Sequence, residues 1–137
     1  MMDNIEFIYL YRDGGNYKKW NRVTFSNPQR LASRVLEEAI QQALSPDGLF
    51  IARQVRVPEV FLYSKEKLSQ DDHCFHEFDS CRATTAIATD TKIRSIAEFV
   101  TEIIREANRG WQIFDPCDSP GSFGWLLAEG PPPESAW

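Results

Sequence analysis

Apolar positions recur at every second residue near the start of the chain. Ile5, Phe7, Tyr9 and Tyr11 share one phase, while Ile8 and Leu10 share the other with Glu6 and Arg12. A period of two predicts a strand over residues 5–12. Apolar side chains in both phases predict that this strand is central and well covered. Asp13, Gly14, Gly15 and Asn16 follow. Glycine and asparagine tolerate positive φ, so these four residues form a turn. Residues 17–25 predict a second strand, and the pair reads as a hairpin.

The period changes after Asn27 and Pro28, which predict a helix start with Asn27 as the cap and Pro28 in the first turn. Leu31, Val35, Leu36, Ala39, Ile40, Ala43 and Leu44 fall on one helical face, with Arg34, Glu37, Glu38, Gln41 and Gln42 opposite. Ser45, Pro46, Asp47 and Gly48 end the helix. Residues 49–57 predict a third strand, stopped by Pro58 because proline lacks the ladder donor. Residues 59–63 are expected to resume it at an edge. The polar residues 64–72 form a surface loop or a short helical turn, and the next strand runs from within residues 71–81 towards Ile87. A last helix is marked by Ser95 and Glu98 at capping-box spacing, with an earlier start at Asp90 or Thr91 as the alternative. Its apolar stripe is Ile96, Phe99, Val100, Ile103, Ile104 and Ala107, and Gly110 supplies a left-handed stop. Trp111, Ile113 and Phe114 are expected to fold back on the core.

This order, ββαββα, predicts an α+β fold. Its simplest form is a two-layer sandwich with a mostly antiparallel sheet of four to five strands and two amphipathic helices. Were both helices on one sheet face, the two-sided apolar character of residues 5–12 would call for a second cover, either the tail or a partner copy. Residues 1–114 read as a single domain. Residues 115–137 are rich in proline and glycine yet carry Phe123, Trp125, Leu126, Leu127 and Trp137. A tail of that kind docks on its own domain or meets a partner.

Composition excludes several classes. The chain has 137 residues, 42% of them hydrophobic and 12% aromatic, enough for one packed core. A net charge of −5 disfavours a general polyanion binder. No apolar run reaches the roughly 20 residues that span a bilayer. The start of the chain has no basic stretch followed by an apolar one, so no secretory signal is read there. Cys74, Cys81 and Cys117 are three in number and form no close CxxC pair. This predicts a reduced, cytoplasmic protein rather than a disulfide scaffold.

The chemistry concentrates in residues 71–81, which hold His73 and His76, Cys74 and Cys81, and the carboxylates Asp71, Asp72, Glu77 and Asp79. As a strand, the stretch puts His73, Phe75, Glu77 and Asp79 on one face and Cys74, His76 and Phe78 on the other. Opposite faces argue against one metal held by both histidines unless a bulge re-aims one of them. No HExxH or CxxC pair supplies an established ligand spacing. The plainer reading makes the aspartates solvated, His76 hydrogen-bonded within the sheet, and Cys74 a small buried hydrophobe. A nucleophilic cysteine beside a histidine is disfavoured because Cys74 and His73 point apart. No phosphate-binding glycine loop and no PD-(D/E)xK pattern is present, since the third strand offers only Gln54, Val55 and Arg56.

The first hairpin carries a separate signal. Over the first 34 positions, Arg12, Lys18, Lys19, Arg22, Arg30 and Arg34 stand against Asp3, Glu6 and Asp13. Tyr9, Tyr11, Tyr17 and Trp20 lie among them, and aromatic faces beside basic groups can stack bases and hold phosphates. Strand tyrosines in the core phase more often fill the interior, and edge lysines guard against strand pairing.

The best-supported reading is a non-catalytic binding or protein-interaction module, with a protein partner or self-association and with no cofactor and no metal. Nucleic acid is possible as a partner but not favoured, and no membrane association is predicted. The candidate binding residues are Arg12, Tyr17, Lys18, Trp20, His73, His76, Glu77 and Trp125. The alternatives are a metal-dependent hydrolase or nuclease using Asp72, His73 and Glu77, or a binder of single-stranded nucleic acid through the first hairpin.

Overall fold

The computed structural model describes residues 3–13, 15–60 and 73–116. Six elements follow in the expected order: β1 (Asn4–Arg12), β2 (Lys18–Phe25), α1 (Ser33–Ala43), β3 (Leu49–Ile51), β4 (Phe75–Thr84) and α2 (Ile96–Arg109). The fold is α+β. One four-stranded antiparallel sheet runs in the order β2-β1-β4-β3. β1 is central, as its two-sided apolar pattern requires. β1 and β2 pair without a break from Ile5 opposite Phe25 to Arg12 opposite Lys18. Their turn is closed by the Asp13 carboxylate, which accepts from the amides of Gly15 and Tyr17.

β1 and β4 slip by one residue. Ile8 pairs with Ser80 but Tyr9 pairs with Phe78, which leaves Asp79 as the extra residue of a bulge. A bulge reverses the side-chain phase beyond it. Phe78 and Cys81 therefore both belong to the core, although a regular strand would set them on opposite faces.

Both helices enter the same buried cluster as Ile5, Phe7, Tyr9 and Tyr11 of β1. Phe7 is its hub, with ring centroids 4.8 Å from Phe99, 5.4 Å from Phe78 and 5.7 Å from Phe50. Phe25 stacks on Phe99 at 4.4 Å. From α1, Leu36 and Ile40 are buried. Val35, assigned to the same stripe by spacing, is exposed. α1 also guards the part of β4 that β3 is too short to pair. The Glu37 carboxylate accepts the Cys81 amide there at 2.9 Å.

Three boundaries differ from expectation. α1 begins at Ser33, not after Pro28, and its N-cap is Ala32. Asn27 does bond backbone groups, but they are the amide and carbonyl of Leu31. Asn27 thus closes a turn that places Arg30 at φ 56°. The third strand stops at Ile51, and Ala52–Val55 form a 3-10 helix ending with Arg56 in the left-handed region. Glu59 and Val60 lie outside any strand, though both are buried, and residues 61–63 lie outside the described residues.

α2 is legible at its start. Ser95 Oγ accepts the Glu98 amide, and the Glu98 carboxylate accepts the Ser95 amide at 2.8 Å. At its end Gly110 has φ 102° and ψ 141°, a positive φ without the left-handed helical ψ. Beyond it, Trp111 packs on the core and Phe114 lies 3.7 Å beneath the Arg53 guanidinium, whereas Ile113 is exposed. Among the described residues no helix is long and apolar enough to cross a membrane.

One buried cation ties these parts together. Arg94 donates to both Asp90 oxygens at 2.8 and 3.0 Å, to Glu102 at 3.0 Å, and to the carbonyls of Val55 and Arg56 at 2.8 and 2.9 Å. That uses each of the five N–H groups of a guanidinium. Arg56 adds two bonds to Glu102 at 2.7 and 2.8 Å. Removing one partner of a buried ion cluster leaves the others uncompensated, at a cost of about 3–5 kcal/mol. Arg94→Met is expected to lower the unfolding free energy by that amount in urea titration. A loss below about 1 kcal/mol would mean that the network is not a structural keystone.

Candidate functional site

The 71–81 stretch is built into the sheet rather than presented from it. His73 Nδ1 lies 3.1 Å from the Phe75 amide and accepts its hydrogen. Nε2 therefore carries the ring proton and donates to the Arg12 carbonyl at 2.7 Å. The His73 amide donates to the Tyr11 hydroxyl at 3.1 Å, and the two rings sit 5.1 Å apart. His73 thus fastens the start of β4 to the end of β1. Glu77 accepts from Arg12 Nε at 2.7 Å and Nη2 at 3.2 Å. Arg12 also donates to the Asn16 side chain, so one guanidinium joins hairpin turn and β4.

His76 lies on the other face, as strand phase requires, and is fully buried. Its Nε2 is 3.0 Å from both the amide nitrogen and the carbonyl oxygen of Val60. Tyr9, Tyr11 and Phe50 surround the ring at 5.5 to 6.2 Å. Burial lowers its pKa to about 3, so the imidazole is neutral at ordinary pH. Burial also pushes the Cys81 thiol up to about 12, with Glu37 adding to the shift, and raises that of Cys74. A raised pKa leaves both thiols protonated at neutral pH, which disfavours a nucleophilic role.

Of the hydrolase arrangement, His73 and Glu77 are described and Asp72 is not. Both nitrogens of His73 are engaged with backbone, and Glu77 is engaged by Arg12. Asp71, Asp72 and Trp125 lie outside the described residues. Among the described residues no group of three His, Cys, Asp or Glu side chains stands where it could hold a metal ion. An open cleft of about 230 Å³ beside the start of α1, lined by Asp3, Asn27, Arg30 and Ser33 among others, contains none of the candidate binding residues.

A buried polar cluster that spacing did not reveal sits beside His76. Glu59 is only 3% exposed and lies 3.4 Å from Arg53 Nε. Burial raises its pKa to about 7, against the opposing pull of Arg53. Tyr9, also fully buried, donates to the Pro58 carbonyl and accepts from Asn21, both at 2.6 Å. Glu59 directly follows Pro58 and reads locally as a solvated edge residue. Only the packing of Val57 and Val60 into the core draws it inside.

The outer side of the first hairpin is different. Tyr9 and Tyr11 are buried, but Trp20 is 48% exposed and Tyr17 67% exposed. Lys18 and Arg22 flank Trp20 in β2, and both are exposed. Glu6, in the centre of that face, lies 3.5 Å from Arg22 and 3.9 Å from Arg82. Arg12, Lys18, Trp20, Arg22 and Arg82 therefore share one basic, aromatic surface, which includes three of the predicted binding residues.

The two buried titratable groups give opposed pH dependences. His76 titrates at about 3 when folded and near 6.5 when unfolded. The unfolded chain then binds the extra proton, and stability falls as pH drops below 6.5. Glu59 titrates at about 7 when folded and near 4.5 when unfolded. Here the folded chain binds the extra proton, and stability falls as pH rises from 4.5 through 7. Between pH 4.5 and 6.5 the two slopes cancel. Asp90 and Glu102, which burial would raise but whose arginine partners hold low, add an acid loss only below that window. Glu59→Gln should uncover the histidine slope, a fall of up to about 1.4 kcal/mol per pH unit on acidification from 6.5 to 4.5. Urea midpoints across that window check it: a flat profile in the variant would count against a neutral buried His76, and a wild-type slope equal to the variant's would count against a protonated Glu59. Set against protein-family models, curated proteins and solved structures, the chain finds no match in any of the three.

Proposed function

We propose that the protein is a non-catalytic binding module that takes a protein partner on the outer side of its first hairpin. The observation that carries this reading is Trp20. It is a large aromatic side chain left nearly half exposed in an edge strand, with Lys18 and Arg22 on either side. Tryptophan and arginine are the residues over-represented at interface hot spots. Arg12, Lys18 and Tyr17 extend the surface, while His73 and Glu77 brace it from behind through the Arg12 carbonyl and guanidinium. His76 contributes to the core rather than to contact. A reducing, cytoplasmic setting belongs to the same reading, because Cys74 and Cys81 are buried free thiols.

Selection of displayed random peptides on the immobilised protein tests the reading. Enriched peptides should lose about 30-fold or more in affinity towards Trp20→Ala, the scale of a hot-spot truncation. The variant should keep the wild-type urea midpoint. Enriched peptides that bind Trp20→Ala as well as wild type would move the partner surface elsewhere.

A further inference from the structure

We infer that the outer edge of β2, over residues 18–22, docks an extended acidic peptide that adds a fifth strand to the sheet. The inference rests on the hairpin being the binding surface and names the partner class and the manner of binding.

β2 is an edge strand, with β1 on one side and no further strand among the described residues on the other. The direction of its backbone groups is set by Thr24. Its amide donates outward to Thr89 Oγ1, and its carbonyl accepts outward from the amides of Thr89 and Asp90. Backbone groups on a strand alternate sides. The pairing with β1 is unbroken, so Lys18, Trp20 and Arg22 also point their amides and carbonyls outward. The 88–90 segment closes the edge at Thr24, and the Ser26 carbonyl is taken by the Ile96 amide. Among the described residues no group pairs with the edge from Lys18 to Arg22, a stretch of about 13 Å with room for a strand of five or six residues.

Charge selects the occupant. Lys18 and Arg22 are exposed on this edge, on a chain whose net charge is −5. A docked strand with carboxylates four residues apart sets them opposite Lys18 and Arg22, and its middle residue meets Trp20. A second copy of β2 fits poorly. Antiparallel pairing centred on Trp20 sets Lys18 against Arg22, and parallel pairing in register sets each against itself; like charges directly opposite are destabilising. Charged residues on an edge also serve to repel stray strands. A half-exposed tryptophan between them works against that role and suits a ligand.

The test uses the full-length ¹⁵N-labelled protein and a blocked peptide, Ser-Glu-Thr-Val-Thr-Glu-Ser, at about 50 mM salt, where exposed charges are weakly screened. Strand addition requires downfield shifts and slowed exchange for the amides of Lys18, Trp20 and Arg22, with Lys19 and Asn21 unaltered in protection. It also requires roughly tenfold weaker binding to Arg22→Glu, and loss of binding when the peptide amides facing β2 are N-methylated. If the methylated peptide binds equally well and still perturbs the Trp20 ring, the hairpin reading survives and strand addition is overturned. If the peptide fails and single-stranded oligothymidine shifts the same residues, the acidic-peptide assignment is overturned in favour of nucleic acid. If neither ligand perturbs the hairpin, strand addition and the hairpin reading fall together.

Discussion

A guanidinium taken out of water must have its N–H donors met, and Arg94 meets this demand with groups from three parts of the chain. Asp90 comes from the segment before α2, Val55 and Arg56 from the 3-10 turn, and Glu102 from α2 itself. The carbonyls it uses lie 38 and 39 positions away in sequence. Their commitment to Arg94 favours a turn over further strand, so β3 ends at Ile51 although Val55 and Val57 are β-branched. The same cation lies 5.0 Å from the Phe99 ring and 5.6 Å from the Phe25 ring, which places it at the margin of the aromatic core.

From that margin the sheet carries polarity inward in a controlled way. His76, Tyr9, Asn21 and Glu59 are all buried and each meets burial differently, with Asn21 Oδ1 left without a hydrogen-bond partner among the described residues. Tyr9 and Asn21 bond each other, His76 is kept uncharged, and Glu59 combines a nearby arginine with a raised pKa. The histidines that drew attention in the sequence thus act as fasteners. One joins β4 to the end of β1, and the other holds the backbone at Val60.

The surface proposed for binding is the part of the sheet least used by the core. β1 gives its odd-numbered residues to the interior, and β2 follows with Val23 and Phe25. The even-numbered residues of β2 are left to solvent until Thr24, where the 88–90 segment closes the edge.

Features that depend on neighbours in the chain were legible from residue types alone. The hairpin follows from alternation and the Asp13 turn. The start of α2 follows from Ser95 and Glu98, whose reciprocal bonds span only three residues. The central position of β1 follows from its two apolar faces. Other features were decided by distant partners. Asn27 is equally suited to capping a helix or closing a turn, and the chain's path at Arg30 selects the turn. The Asp79 bulge, which brings Cys81 into the core, is a matter of register between strands some seventy positions apart. The burial of Glu59 and the exposure of Trp20 are set by which face and edge the helices and the 88–90 segment cover. Sequence by itself determined the elements and their order, because capping, turns and periodicity act over a few residues. Tertiary structure alone decided the boundaries, the buried charges and the open edge, because each depends on groups that meet only when the chain has folded.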